Sequence, residues 1–212
     1  MHFTKKDILG LDKINRLNLI NTISGIKPAN LIGTISENNT TNLAIFSSVI
    51  HLGSNPPLLG IIVRPNSEVK RHTYQNIKST GFYTINHVST AHTKEAHYTS
   101  AKFNENTSEF AMCGFNEMFI DGFTAPFVKE SNLKIGLKYV ESIKIEINGT
   151  HLVIGSIEHI IFPNELMNES GQIDLSEIDS TGVSGLNYYY SLKKINDYPY
   201  ARVDDAIKLF KK

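Results

Sequence analysis

A mainly β fold, a closed or partly closed antiparallel barrel with short peripheral helices, is predicted by three features of the sequence. Residues 142–162, SIKIEINGTHLVIGSIEHIIF, alternate apolar and polar side chains on either side of Asn148-Gly149. That dipeptide favours a two-residue hairpin turn, because tight hairpins need positive φ and Asn and Gly tolerate it best. The other apolar, β-prone runs are short and are punctuated by Asn, Gly and Pro. Helical periodicity is confined to brief stretches, whereas doubly wound sheets need a long crossover helix between successive strands.

In chain order, Ile8, Leu9, Leu11, Ile14, Leu17 and Ile20 are spaced for one short amphipathic helix over residues 5–20. KPANLIGTIS and TNLAIFSSVI, separated by ENNT, read as a hairpin. GSNPP (53–57) breaks the chain before LLGIIVR, whose length and composition suit a buried strand. TYQNIKST (73–80) has the length of two helical turns, GFYTINHV is a further strand, and residues 90–103 are expected to be helical. The 142–162 hairpin follows. Residues 163–181 carry five acidic side chains and no basic one, the composition of a solvated loop. A tyrosine cluster, GLNYYYSL, and a short terminal helix, VDDAIKLFKK, complete the chain. No repeat or linker divides it, so residues 1–212 are expected to form a single domain.

Composition excludes several roles. Lys plus Arg and Asp plus Glu both number 21, so the chain lacks the basic excess of a general nucleic-acid or membrane-surface binder. The single cysteine, Cys113, permits no intrachain disulfide and no thiolate-rich metal cluster, and no base near it in sequence would activate it. The N-terminus lacks a signal-peptide pattern and the apolar run at 58–63 is too short to span a bilayer. A cytoplasmic protein is expected. G-x-S-x-G, the P-loop and G-x-G-x-x-G are all missing. His87, His92 and His97 recur every five residues, whereas ligands on one helical face need a spacing of three or four, so no metal site is expected.

Three segments stand out because all fall at predicted strand ends. NLAIFSSVIHLGSNPP places Ser47-Ser48 inside an apolar strand. RPNSEVKRHTYQNI gathers Arg64, Lys70, Arg71 and His72 with the hydroxyls of Ser67 and Thr73. INHV is followed by HYTSAKF. Hydroxyls beside apolar surface suit a flat amphipathic heterocycle, although Ser47 and Ser48 read equally well as the mark of a strand end. The basic loop suits an anion, and its other reading is a solvated turn.

Taken in order, NLAIFSSVIHLGSNPPLLGIIVRP, RHTYQNIKSTGFYTINHV and TSAKFNENTSEF resemble the flavin reductase-like family of FMN-binding split barrels, which includes flavoredoxin-type proteins. The resemblance implies a Greek-key split barrel, non-covalent FMN, and a homodimer with the cofactor near the subunit interface. It places Phe46, Ser47, Ser48 and Val49 around the isoalloxazine ring and ribityl chain. Arg64, Ser67, Arg71, His72 and Thr73 would hold the phosphate, with Thr73 as the cap of the helix that begins there. Asn86, His87 and Val88 would line the other side of the flavin, and Ser100, Lys102 and Phe103 would approach it. Where many relatives carry a proline after the strand alanine this chain has Ile45, and the acidic 165–179 segment is not general to the family.

The implied activity is NAD(P)H-dependent reduction of FMN, with electrons passed to a free flavin or a small acceptor. Hydride transfer of this kind runs on the cofactor and needs no side-chain nucleophile, so no catalytic side chain is expected. Two alternatives stay open from the residues: a non-enzymatic FMN-binding electron carrier, and a split barrel for another ligand such as haem or pyridoxal phosphate. Tyr188, Tyr189, Tyr190 and Tyr198 suit an interface or pocket rim, or equally an edge strand packed within one subunit.

Overall fold

The computed structural model describes residues 1–65 and 72–210. It opens with two helices, α1 (Lys5–Gly10) and α2 (Lys13–Ile23), where the periodicity predicts one. The break has a local cause. The Asp12 carboxylate accepts hydrogen bonds from the backbone N–H groups of Ile14 and Asn15 at 3.0 Å, which caps a new helix start. Neither helix buries a residue.

The strands follow as β1 (Lys27–Pro28), β2 (Asn30–Ile35), β3 (Thr41–Phe46), β4 (Val49–Ser54) and β5 (Pro57–Val63). Next come α3 (His72–Thr80), β6 (Phe82–His87), α4 (Thr93–Tyr98) and α5 (Glu109–Cys113). The remainder is β7 (Glu117–Ile120), β8 (Phe123–Val128), β9 (Lys134–Ile145), β10 (Thr150–Ile161), β11 (Thr181–Ser184), β12 (Tyr188–Ser191) and α6 (Val203–Phe210). The helix expected over 90–103 stops at Tyr98: after one turn of 3-10 helix and α4, the chain closes into tight turns through Ala101.

Seven strands form one antiparallel sheet in the order β3-β2-β6-β9-β10-β5-β4. Its two edge strands, β3 and β4, are joined by Ser47 and Ser48 alone. Consecutive Cα atoms stand about 3.8 Å apart, so Phe46 and Val49 lie within about 11 Å of each other. The edges therefore meet, and the sheet is rolled into a barrel. β3 and β4 act as one strand bent at the serines, and β6 returns past β5 to lie beside β2, which is Greek-key order. The Ser48 hydroxyl seals the seam, accepting from Ile62 N–H at 3.2 Å and donating to Ile62 C=O at 3.0 Å.

Period-2 alternation fills the interior with Ile32, Ile61, Val63, Tyr83, Ile85, Leu137 and Val153, and α3 adds Ile77. The outer face of β2 and β3 is covered by α4 and α5, through Leu31, Leu43, Ala96 and Phe110. The β7–β8 hairpin, turning at Asp121-Gly122, packs Phe123, Ala125 and Phe127 on the wall. Gly33 permits the closest approach, since a Cβ there would overlap Pro126 O and Thr84 Oγ1.

The β9–β10 turn departs from the two-residue expectation. Ile145 pairs with Thr150, which leaves a four-residue loop. Asn148 spends its side chain on the N–H and hydroxyl of Thr150, and Gly149 alone takes positive φ. Ile143, Ile145 and Ile147, which alternate before this turn, do not reach the core either, and Ile147 is 94% exposed. Tyr188, Tyr189 and Tyr190 lie on the edge strand of a small sheet, β1-β11-β12, and Tyr198 lies beyond it, exposed. Tyr189 packs inward while Tyr188 and Tyr190 are exposed.

Candidate functional site at the barrel seam

The corner between β3 and β4 places Phe46 and Val49 partly inside the barrel, packed against the interior cluster, with Ser47 and Ser48 between them. Because Val49 pairs with Ile61 and the Ser48 hydroxyl bonds Ile62, the end of β5 runs alongside the corner. Arg64 leaves β5 there, exposed. The chain returns at α3, whose first turn is anchored by a buried polar cluster. Asn42 donates to Thr34 Oγ1 at 3.2 Å and to Thr73 Oγ1 at 3.1 Å, and Asn76 donates to Thr34 Oγ1 at 3.1 Å. A buried network satisfied in this way fixes the helix start on β2 and β3. Thr73 is thus the second residue of α3, bonded to β3, and His72 rather than Thr73 begins the helix. Ser67 and Arg71, assigned to the same loop by the sequence, lie outside the described residues.

Alongside the end of β5, β10 contributes His151, opposite Val63. Its ring lies against Tyr74 with centroids 4.9 Å apart. The Tyr74 hydroxyl shares a 3.0 Å hydrogen bond with Ser142 Oγ, which also accepts from Tyr139 OH at 3.2 Å. Neither His151 nor Tyr74 was singled out by sequence reasoning. The available signal is position: His151 follows Asn148-Gly149 at the start of the strand that pairs with β5.

The other predicted residues are held elsewhere. Asn86 is fully buried in the wall, donating to Leu31 C=O at 3.0 Å and Thr84 Oγ1 at 2.8 Å and accepting from Val128 N–H at 3.0 Å. Val88 is 2% exposed within the outer cluster. Neither side chain presents a surface. His87 shares a 2.8 Å hydrogen bond between Nδ1 and Ser180 Oγ, and burial pulls its pKa down to about 4, so the ring is neutral at physiological pH. Ser100 and Lys102 are exposed just past α4, the serine hydroxyl donating to His97 C=O at 2.7 Å, and Phe103 is half-buried.

His92 bonds Ser89 Oγ at 2.9 Å and His97 bonds Tyr189 OH at 3.2 Å, so the three histidines take separate structural partners. No cluster of three or more metal-ligating side chains occurs among the described residues. Burial, and then the carboxylates of Glu109 and Glu95, raise the Cys113 pKa, which leaves a thiol without activation. No helix among the described residues is long and apolar enough to cross a membrane.

A Greek-key barrel closed at a serine-bearing corner, with the end of β5 beside it, defines a split-barrel protein. Residues 26–189 match the flavin reductase like domain, and the chain belongs to that family. Among solved structures it is similar to a Shewanella frigidimarina protein assigned as a flavin reductase with a split barrel domain. The two are 47% identical, with a TM-score of 0.91, over 95% of this chain and 100% of that one. Nitrilotriacetate monooxygenase component B from Bacillus cereus shares the fold at 16% identity and a TM-score of 0.81, over 93% of this chain and 98% of that one. Flavoredoxin of Desulfovibrio vulgaris does so at 22% identity and a TM-score of 0.72, over 83% and 92% of the two chains.

Proposed function

We propose that the chain binds FMN at the barrel seam and works as an NAD(P)H-dependent flavin reductase, passing electrons to free flavin or a small acceptor. The observation that carries this reading is the convergence of three distant segments: the Phe46–Val49 corner, the end of β5 at Arg64 and the first turn of α3. The donor set fits the cofactor. A phosphate dianion calls for charge-assisted donors, which the Arg64 guanidinium, His72 and backbone N–H groups at the start of α3 supply. In the same reading Ser67 and Arg71 complete the loop. The Thr73 hydroxyl accepts from Asn42, which leaves its proton for an acceptor. The apolar faces of Phe46 and Val49, interrupted by Ser47, suit a flat ring with polar edges, and Ser48 holds the corner that presents them.

Bound FMN supplies the hydride and electron chemistry. The protein's own residues bind the phosphate, hold the ring against the corner and shield one face of it. His87, neutral and hydrogen-bonded to Ser180, adds no charge to the wall.

A homodimer belongs to the same proposal. Apolar side chains are exposed along β4 and β9, at Ile50, Leu52, Val140 and Ile143, and along both terminal arms. Surfaces of this kind mark protein interfaces.

The deciding measurement is the visible spectrum of the purified protein after incubation with FMN and removal of excess flavin, followed by anaerobic titration with NADH and with NADPH. A retained flavin band that one nucleotide bleaches is the expected result. A colourless protein overturns the FMN reading, and a flavin band that neither nucleotide bleaches makes the protein a carrier rather than a reductase.

A further inference from the structure

We propose that the terminal arms are exchanged between two copies of this chain, α6 of each protomer seating on α1 and α2 of the other; this rests on the homodimer reading above. Both arms leave the body at one place, the small β1-β11-β12 sheet. A Cβ on Gly182 would meet Ile26, just before β1, and Leu192, just after β12. A Cβ on Gly185, in the β11–β12 turn, would lie 3.2 Å from Thr22 Oγ1 near the end of α2. Beyond this junction the C-terminal arm stays clear of its own chain, and every residue from 193 to 210 is exposed.

The apolar surface on the arms has the size of an interface. Tyr198, Tyr200 and Phe210 are 79%, 87% and 82% exposed. Aromatic side chains carry about 150–250 Å² each, so these three alone show roughly 500 Å², against about 800 Å² per partner in a stable complex. In α6, Val203, Ile207 and Phe210 follow the spacing of one helical face, and Asp204, Asp205 and Lys208 stand on the other. In α2, Ile14, Leu17, Ile20 and Ile23 are all exposed although they point to different sides of the helix. A helix that is apolar on several sides needs cover on several sides, and the described residues of its own chain bury none of α2.

Charge selects the partner. The acidic side chains of the N-terminal arm are spent locally: Asp7 accepts from the Thr4 N–H and hydroxyl, and Asp12 caps α2. The Arg16 guanidinium donates to the Leu9 and Leu11 carbonyls. The ammonium groups of Lys5, Lys6 and Lys13 are left, and α6 opens with Asp204 and Asp205. Among the described residues, none of these five is ion-paired. The two arms of one copy thus carry unpaired charge of opposite sign beside apolar surface, and they do not meet within the chain. A two-fold pair of copies brings each arm to its complement, and each contact then occurs twice.

The test is charge reversal read by sedimentation of the full chain. One variant carries Asp204→Lys and Asp205→Lys, and a second carries Lys5→Glu, Lys6→Glu and Lys13→Glu. Each alone sets like charges against each other and is expected to weaken dimerisation about tenfold or more. An equimolar mixture of the two restores opposite charges at both contacts, so it should recover the parent affinity as a heterodimer of one chain of each kind. That recovery also shows that the substitutions have not unfolded α6 or the N-terminal helices. Dimers of parent affinity in both single variants, or a mixture that stays as weak as its components, overturn the exchange. The second outcome is also the one expected if α6 folds onto its own chain or takes another partner. The parent separates this from the underlying reading: a dimeric parent with unaffected variants leaves the homodimer standing without exchanged arms. A monomeric parent removes both.

Discussion

The barrel body and the terminal arms of this protein use the same kinds of residue in opposite ways. In the body, Ile32, Ile61, Ile77, Ile85 and Leu137 are fully enclosed, each contributing roughly 1.5–3 kcal/mol by leaving water. In the arms, α1 and α2, the stretch after β12 and α6 expose Leu9, Ile14, Ile23, Ile195, Tyr200 and Phe210, and these helices bury nothing. The body is closed by its own contacts. The arms present apolar surface that none of the described residues covers, and the proposed homodimer would bury it.

The sharpest way to test that contrast is to strike the body where it is tightest. Gly33→Ala puts a methyl group into Pro126 O and Thr84 Oγ1. A main-chain oxygen cannot swing aside as a flexible side chain would, so a loss of about 4 kcal/mol is expected in urea unfolding. Asn86→Ala comes next. It leaves the Val128 N–H and the Leu31 C=O buried without their side-chain partner, and should cost about 3 kcal/mol in the same assay.

A smaller effect is expected from acid. Burial of His87 depresses its pKa from the ordinary 6.5 to about 4. Above pH 6.5 the ring is neutral in both folded and unfolded chains, and the body has its full stability. As pH falls from about 6.5 to about 5, the unfolded chain takes up a proton that the folded chain refuses, and about 2 kcal/mol of stability is lost. Thermal unfolding followed from pH 8 to pH 4 checks this. The slope should flatten in His87→Asn, whose amide can still bond Ser180.

The arms should respond least. Removal of residues 195–212 is expected to change the unfolding free energy of the body by less than about 0.5 kcal/mol, because the described residues of that segment are exposed. Sedimentation, by contrast, should shift towards that of a single shortened chain. A large loss of stability without any change in assembly would show that the arms belong to the body after all.

The difference between body and arms also marks what a linear reading can reach. Short-range pattern is legible: the 30–46 hairpin, the strand ending at Val63, the helix over 73–80 and the acidic loop all occur where alternation, turn residues and length put them. The β7–β8 hairpin was also signalled, by Asp121-Gly122, but its flanking runs are too short to stand out. Covering is not legible. The 5–20 periodicity and Ile143 and Ile145 of β9 look like core in the sequence and are exposed in the fold, because periodicity states that a face is apolar without stating what packs on it.

The sequence by itself determined that this is a β protein of short strands with a cationic loop between one strand and one helix, since backbone preference and side-chain alternation act over a few residues. Tertiary packing made β3 and β4 one strand bent at Ser47 and Ser48, which closes the barrel and brings the corner beside the end of β5. It likewise decided that Asn86 serves the wall and that His151, from a strand far along the chain, lies beside the end of β5 and against Tyr74 of α3. These outcomes depend on which strands pair and how the sheet rolls, and pairing between segments up to a hundred residues apart is set by the whole core at once.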